Sequence, residues 1–202
     1  MKKCHLAIAL LLALCLTGCG RQTAAPTTQT APAPQEESSV ETAADRNPTA
    51  AELGREERMD MAFSVEGETE MVPATLYIGQ GYSLYIPDEG WRLEQDMDDG
   101  IPEDTWESTV NHDVELQVLH LGEKTLEQAQ EWVTAAEDDY RLIEDKQGGM
   151  GGTDEEDREM MEVRFYPSGT QMYAVLYEYP MEAAEGFGAR LAQIAGTFEV
   201  ME

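Results

Sequence analysis

The sequence predicts an α+β fold, a layered sandwich in which an antiparallel sheet built of hairpins is covered by two helices. Three observations indicate this class. Apolar and polar residues alternate in several short stretches after residue 57, a period typical of half-buried strands. Short groups of Gly, Pro, Asp and Ser separate these stretches, as in hairpins. Two further segments carry apolar residues at helical spacing and are the predicted cover of the sheet.

The first three predicted strands follow one another from Arg58. Each has one face of apolar residues, and Pro73 indicates an edge position in the second strand because proline lacks the N–H that a sheet requires. Two glycines flank Gln80 and predict the second turn. The inward residues are Met59, Met61, Phe63 and Val65 in the first strand, Val72, Ala74, Leu76 and Ile78 in the second, and Tyr82, Leu84 and Ile86 in the third.

The middle of the chain has a weaker strand pattern. Trp91 and Leu93 are expected to continue inward. Residues 96–104 (DMDDGIPED) are expected to be irregular, because acidic residues interrupt any apolar period. Alternation of apolar and polar residues then returns. The residues predicted to lie on one face are Trp106, Ser108, Val110, His112, Val114, Leu116, Val118 and His120.

The remaining elements are a helix, a hairpin and a second helix. Thr125 and Gln128 have the spacing of a capping box and predict the start of the first helix. Residues 147–152 (QGGMGG) are expected to form a flexible loop. A hairpin turn is predicted at residues 167–169, and its return strand is apolar on both faces, which predicts a central strand. The last helix should run from about Met181 to a break at Gly196.

The first 19 residues have the pattern of an export signal. Lys2 and Lys3 precede an apolar stretch over residues 6–16, which is shorter than the ~20 residues of a membrane span. Leu16-Thr17-Gly18-Cys19 resembles the lipobox of bacterial lipoproteins. The resemblance implies a signal peptide over residues 1–18, a diacylglycerol thioether on Cys19 with palmitate-type chains, and a lipid-anchored protein on the extracytoplasmic face of the cell membrane. A short membrane anchor and a plain signal peptide are the alternatives.

Composition separates a tether from a domain. Residues 19–57 are rich in Ala, Pro, Thr and Gln, which predicts a disordered tether or an O-glycosylated stalk. Residues 58–202 form the predicted α+β domain. The three cysteines are Cys4, Cys15 and Cys19, so the domain contains no disulfide.

The chain is strongly acidic, with 41 Asp and Glu against 13 Lys and Arg and a net charge of −28. Such a charge repels nucleic acids and anionic lipid headgroups, so a nucleic-acid partner is excluded. The preferred interpretation of this negative charge is that it keeps the protein soluble. The second interpretation is that it attracts cationic partners or divalent ions.

A pattern-level resemblance covers about residues 81–198. The segment GYSLYIPDEGW (residues 81–91), the mid-chain helix, and a closing helix followed by Thr197 and Phe198 resemble the small domains of the PsbP and Mog1 group. The additional hairpin over residues 58–78 departs from that pattern. The group contains binding and assembly proteins, so the resemblance implies a binding role and transfers no catalytic residues.

Candidate sites for chemistry are few. Asp96, Asp98, Asp99, Glu103 and Asp104 resemble a calcium loop in composition, but Gly100 and Glu107 break the EF-hand spacing, and a solvated acidic loop is the preferred interpretation. A Ser-His-Asp triad would have to use His112 or His120. On one extended strand these two would lie ~27 Å apart at ~3.4 Å per residue, too far to share a metal ion.

Aromatic residues offer one further candidate. Tyr85, Trp91, Trp106 and Tyr177 could line a binding face for a peptide or glycan, and core packing is the alternative. The leading hypothesis is a non-enzymatic binding or assembly module without a cofactor, whose partner is an envelope protein, a peptide or a glycan. An envelope hydrolase with an unrecognised site and an acidic calcium-binding protein are the other hypotheses.

Overall fold

A computed structural model describes residues 46–65, 67–98 and 100–201. The predicted signal peptide, Cys19 and most of the predicted tether lie outside these residues. The strands are β1 (Arg58–Val65), β2 (Glu68–Ile78), β3 (Tyr82–Pro87), β4 (Trp91–Asp98), β5 (Ile101–Ser108), β6 (Glu115–Gly122), β7 (Ile143–Glu144), β8 (Met150–Thr153), β9 (Glu159–Ser168), β10 (Gln171–Pro180) and β11 (Glu199–Val200). The α-helices are α1 (Leu126–Ala136) and α2 (Ala189–Ala195).

The predicted α+β class is wrong, because the protein is mostly β. Within the described residues, eleven strands form two antiparallel sheets, and the two α-helices are short. One sheet has the order β1-β2-β3-β11 and the other β4-β5-β6-β10-β9-β8-β7. The prediction had helices covering the sheet. In the structure, the apolar face of the four-stranded sheet covers one face of the seven-stranded sheet. No helix among the described residues has the length and apolarity needed to cross a membrane.

The larger core lies between the two sheets. Phe63 and Leu84 come from the four-stranded sheet, Leu116 and Tyr177 from the seven-stranded sheet, and Leu191 from α2. All five are almost completely buried. The apolar alternation of the first three strands therefore predicts most of the inward face, which packs on a second sheet. Two details are wrong: Met59 is 36% exposed, and β2, where Pro73 predicted an edge strand, lies between β1 and β3.

A smaller core lies on the other face of the seven-stranded sheet, beneath α1. Ala129 and Val133 of the helix are fully buried there, and the predicted capping box of Thr125 and Gln128 is present. Strand β10 pairs with β6 and β9, so its predicted central position is confirmed. Its alternate residues reach both cores: Tyr173, Val175, Tyr177 and Tyr179 the larger, and Met172, Ala174 and Leu176 the smaller.

Residues 96–104 form a hairpin rather than an irregular loop. Asp96 pairs with Glu103 and Met97 with Pro102 across the β4–β5 ladder, and Gly100 supplies the positive φ of 81° in the turn. The hairpin was hidden in the sequence because β4 is an edge strand with largely exposed side chains. Other inward predictions fail in this region, since Leu93 and Val110 are 38% and 77% exposed.

Residues 147–152 are also more ordered than predicted. They lead into β8, which pairs with β7 and β9, and Gly149 is buried. A Cβ on Gly149 would lie 2.8 Å from the carbonyl oxygen of Val163, and one on Gly152 only 2.1 Å from that of Arg141. These glycines therefore allow close backbone packing. The sequence predicted a flexible loop instead, because glycines are also common in turns.

The predicted closing helix is only partly α-helical. A 3₁₀ turn (Met181–Ala183) and a π-helical turn (Ala184–Gly188) precede α2. Gly186 and Gly188 disfavour regular α-helix, and a Cβ on Gly188 would lie 2.7 Å from the ring of Tyr179. The expected break at Gly196 is confirmed.

Residues 46–57, here called the strap, pack on the four-stranded sheet. The Arg55 side chain is 9% exposed and donates to the hydroxyl and carbonyl oxygens of Ser83 and to the carbonyl of Thr197. The hydroxyl of Tyr85 donates to the carbonyl of Glu56 at 2.7 Å. The sequence assigned these residues to the tether, whereas the contacts extend the packed region upstream of Arg58.

Candidate functional site

A cleft of about 250 Å³ opens at one edge of the sandwich, between the two sheets. The turn between β2 and β3 forms one side, and β4, β5 and β6 form the other. Asn47 of the strap also lines it. We call it the Asp104 cleft, because the carboxylate of Asp104 is held by side chains from both sheets.

Three neutral groups donate hydrogen bonds to Asp104. The hydroxyls of Tyr77, at 3.0 Å, and Tyr82 donate to Oδ2, and Nε2 of Gln95 donates to Oδ1 at 2.6 Å. Nε2 of Gln95 also lies 3.1 Å from the hydroxyl of Tyr77. One carboxylate thus accepts hydrogen bonds from three side chains that come from both sheets.

The two phenols remain protonated at this position. Burial, reinforced by the neighbouring Asp104 carboxylate, raises the pKa of Tyr77 and Tyr82 well above the ordinary value of 10.0. Each hydroxyl therefore acts as a hydrogen-bond donor and not as a base. The rings of Tyr77 and Trp106 pack in a T-shaped arrangement, with centroids 4.9 Å apart, and this contact helps to hold Tyr77 in place.

Glycines let the β2–β3 turn approach the tyrosines closely. A Cβ on Gly79 would lie 2.4 Å from the Tyr82 ring. Gly81 has a φ of 85°, and its Cβ would lie 2.1 Å from the hydroxyl of Tyr173. That hydroxyl donates to the carbonyl of Gln80 at 3.2 Å. The Gly-Gln-Gly turn thus rests on two aromatic rings, and this contact sets the edge of the cleft.

His120 lies on the opposite wall. Its ring stacks on Tyr173, with centroids 4.7 Å apart and planes at 10°. Its Nε2 lies 3.0 Å from Oε1 of Gln171. Stacking and hydrogen bonding therefore hold this imidazole in one orientation beside the cleft.

The cleft is negatively charged. Asp96, Glu103 and Asp104 line it, and none of the described lining residues is Lys or Arg. Glu103 accepts a hydrogen bond from the hydroxyl of Thr105 at 2.5 Å. Because consecutive residues of a strand point to opposite faces, Asp104 points inward between the sheets, whereas Glu103 and its ladder partner Asp96 point to the opposite face.

The acidic residues of the calcium hypothesis lie along the β4–β5 hairpin. The side chain of Asp98 and the whole of Asp99 lie outside the described part of the structure. Among the residues that are described, no group of three or more His, Cys, Asp or Glu side chains is arranged to hold a metal ion. Calcium binding by Asp96, Asp98, Asp99, Glu103 and Asp104 stays a prediction.

The aromatic residues of the predicted binding face are mostly in the core. Tyr85, Trp106 and Tyr177 are 6%, 3% and 1% exposed, so the alternative of core packing describes these three. Trp91 is half-buried and lines a separate groove of about 100 Å³ beside Phe63. The structure does not bring the four rings together on one surface.

The two histidines lie in different surroundings, and only His120 belongs to a strand. His112 precedes β6, is exposed, and contacts the carboxylate of Glu107. His120 lines the Asp104 cleft. Sequence reasoning missed Gln95 as a site residue. No signal pointed to it, because strand β4 has no recognisable apolar pattern.

Comparison with known proteins gives only distant similarities. No protein-family model matches the sequence, and no curated protein matches it. The chain is similar to the solution structure of cyanobacterial PsbP (CyanoP) from Synechocystis, with a TM-score of 0.44 and 12% identity over 63% of this chain and 92% of that chain. It is also similar to a crystal structure from Bacteroides thetaiotaomicron, with a TM-score of 0.39 and 13% identity over 63% of this chain and 48% of that chain.

Both similarities are distant and concern the fold alone. At these identities and TM-scores, neither similarity identifies a ligand, a partner or a reaction.

Proposed function

We propose that this protein is a non-enzymatic binding module, anchored to the extracytoplasmic face of the membrane through Cys19. In this proposal the Asp104 cleft receives a positively charged group, the ammonium or guanidinium of a peptide or protein partner. The observation that carries the proposal is a carboxylate held in place by neutral donors in a cleft whose described lining includes no Lys or Arg.

The electrostatic balance of the cleft supports a cationic ligand. The neutral donors to Asp104 orient its charge without neutralising it, and none of the described lining residues is Lys or Arg. At 4 Å, a cation gains about 4 kcal/mol from one such charge at an effective dielectric constant near 20. The ring of Tyr77 offers a further favourable contact for a cation.

The hydrogen bonding of the cleft supports binding rather than catalysis. The Tyr77 and Tyr82 hydroxyls are committed to Asp104, and His120 is committed to Gln171. Side chains locked in this way present a fixed surface to a ligand, which lowers the entropic cost of binding.

The position of the strap fits display from a membrane anchor. Asn47 lines the cleft and donates to the carbonyl of Ile78 at 3.2 Å. The upstream end of the described chain therefore lies at the cleft.

The experiment is an NMR titration of residues 46–202 with acetyl-lysine amide and acetyl-arginine amide. Acetyl-glutamine amide serves as the neutral ligand. We expect the cationic ligands to shift the amide signals of Tyr77, Tyr82 and His120. Asp104→Asn should abolish these shifts, and Asp113→Asn, which removes an exposed carboxylate, should preserve them. Equal shifts with the neutral ligand, or unchanged shifts in Asp104→Asn, would contradict the proposal.

A further inference from the structure

Strand β4 lies at the end of the seven-stranded sheet and has eight residues. Its register shows which of its backbone groups bond to β5. In an antiparallel pair, residues that exchange backbone hydrogen bonds alternate with residues that do not. The N–H of Thr109 donates to the carbonyl of Gly90 at 2.9 Å. By alternation, the backbone groups of Arg92, Glu94 and Asp96 also bond to β5.

The intervening residues of β4 turn their backbone groups away from β5. They are Trp91, Leu93, Gln95 and Met97. The N–H of Met97 donates to the Asp96 carboxylate at 2.7 Å. For the other three, no described strand lies beyond β4 to complete a ladder. Their N–H and C=O groups therefore form a free edge, to which an extended chain can add as a further strand.

The other sheet edges are less suited to strand addition. Strand β1, at the edge of the four-stranded sheet, is contacted by α2. Strands β7 and β11 have only two residues each. Strand β4 contains no proline, and its register with β5 is continuous, so it lacks two of the devices that protect edges from pairing.

The free edge of β4 joins two cavities. Trp91 lines the groove of about 100 Å³ described above, here called the Trp91 groove, and Gln95 lines the Asp104 cleft. Leu93 lies between them and is exposed. All three side chains point to the same face of the sheet, because the side chains of a strand alternate. The two cavities are thus four residues apart on one strand, about 13 Å at ~3.3 Å per residue.

The lining of the two cavities indicates which side chains an added strand should carry. Directly opposite residues of neighbouring strands have their Cβ atoms ~4.5–5.5 Å apart. A residue opposite Trp91 would therefore lie beside a groove whose described lining is mostly apolar. A residue opposite Gln95 would lie beside the Asp104 carboxylate, to which Gln95 donates. An apolar residue fits the first position, and Lys or Arg fits the second.

Charge favours a separate partner over the chain itself. Glu94 and Asp96 lie on the other face of β4, and the cation of this strand, Arg92, lies 3.1 Å from the Glu94 carboxylate. A second copy would bring its own net charge of −28 and be repelled. The sequence of residues 20–45 contains one basic residue, Arg21, and no Leu, Ile, Met or aromatic residue. A basic and apolar segment of another protein fits better.

We propose that β4 binds an extended segment of a partner protein, which adds a strand antiparallel to β4. Antiparallel pairing continues the pattern of the sheet and is slightly more stable per residue than parallel pairing. In this orientation a Lys or Arg opposite Gln95 enters the Asp104 cleft, and an apolar residue four positions later enters the Trp91 groove. The inference rests on the proposed function, since the same cleft receives the cation, and it adds the backbone pairing and the sequence pattern of the partner.

Binding of short peptides to residues 20–202, followed by NMR titration, tests the pairing. The probe is acetyl-TKTVTLT-amide, whose Lys, Val and Leu would lie opposite Gln95, Leu93 and Trp91. N-methylation of the Val nitrogen removes a hydrogen bond to β4 and should weaken binding at least about fivefold. N-methylation of the next Thr, whose N–H points away from β4, is the matched control and should change the affinity less than about twofold. The reversed peptide acetyl-TLTVTKT-amide should bind more weakly.

Hydrogen exchange locates the added strand. The amides of Leu93 and Gln95 should exchange quickly in the free protein and slow down when the probe binds. The amide of Glu94, which bonds to β5, should be protected in both states. Absence of binding, slow exchange of Leu93 and Gln95 without peptide, equal losses from the two N-methylations, or equal binding of the reversed peptide would overturn the proposal.

The peptide acetyl-TQTVTLT-amide, together with acetyl-lysine amide, distinguishes this proposal from the proposed function. If the glutamine peptide binds as tightly as the lysine peptide and stays sensitive to N-methylation of Val, the cleft function is wrong and the strand addition is confirmed. If acetyl-lysine amide shifts the signals of the cleft while N-methylation of Val has no effect on peptide binding, the cleft function stands and the strand addition is wrong.

Discussion

The hydroxyl of Tyr77, on the four-stranded sheet, lies 3.0 Å from Oδ2 of Asp104, on the seven-stranded sheet. This hydrogen bond crosses the space between the two sheets at their open edge. Tyr82 makes the same crossing to the same oxygen. The contacts that close the sandwich at this edge are therefore the contacts that shape the candidate ligand site.

Tyr82→Phe should destabilise the domain. The substitution removes one donor and leaves a half-buried carboxylate oxygen with fewer partners, which costs about 1–3 kcal/mol. Tyr166→Phe is the matched control, because both rings pack against Phe198, while the Tyr166 hydroxyl makes no hydrogen bond to the described residues. Urea unfolding measures both. Equal losses in the two variants would show that the bond to Asp104 adds nothing to stability.

Arg55→Ala should loosen the strap. The buried guanidinium makes three hydrogen bonds and lies 4.7 Å above the centroid of the Tyr85 ring, and hydrogen bonds from charged groups contribute about 1.5–3 kcal/mol each. Arg58→Ala, which removes an exposed ion pair with Asp88, should cost less than about 1 kcal/mol.

The strap also predicts a difference between two fragments. A chain that starts at Arg58 loses the contacts of Arg55 and Glu56, so it should melt several degrees below one that starts at Arg46. Calorimetry of the two fragments measures this difference. Coincident transitions would show that the strap contributes nothing and that the domain begins where the composition changes.

Gly81→Ala should be more damaging than Gly90→Ala. Both glycines have a φ near 85–90°, so each substitution carries the strain of a left-handed conformation, on the order of 1 kcal/mol. Only at Gly81 does the new Cβ also meet a side chain, the hydroxyl of Tyr173 at 2.1 Å. Thermal unfolding should rank the variants in this order, and equal losses would argue against a turn that depends on close contact with Tyr173.

Cys19→Ala should abolish acylation. The thioether requires the cysteine sulfur, so the variant should be released from membranes or stay unprocessed. Labelling with palmitate followed by membrane fractionation measures both effects. Unchanged labelling and membrane retention would contradict the lipoprotein assignment.

The sequence predicted what depends on a repeated apolar period. Strands β1 to β3, β9 and β10 alternate clearly, and the cap of α1 at Thr125 has a local signature, so all of these were found. The fold class was wrong because alternation shows which face of a strand is buried and not what covers it. A second sheet and a helix bury the same residues, and only the three-dimensional arrangement distinguishes them.

The candidate site was less predictable for a related reason. Asp104 looks like one of many acids in the sequence, and it becomes distinctive only when the β4–β5 hairpin brings it beneath Tyr77 and Tyr82. Tyr85 and Trp106 were proposed as surface aromatics, because the sequence does not distinguish a ring that lines a groove from one that fills the core. Burial decides this question, and it depends on the register of distant strands.

The most direct test of the account is a measurement of where a cationic side chain binds. Isotope-filtered NOE spectra would be recorded on residues 46–202 with unlabelled acetyl-lysine amide. We predict contacts from the ε-methylene protons of the ligand to the ring protons of Tyr77 and Tyr82, with no such contacts in Asp104→Asn. Contacts that persist in Asp104→Asn, or that involve only residues outside the Asp104 cleft, would contradict the proposal that this cleft binds the positively charged group of a partner.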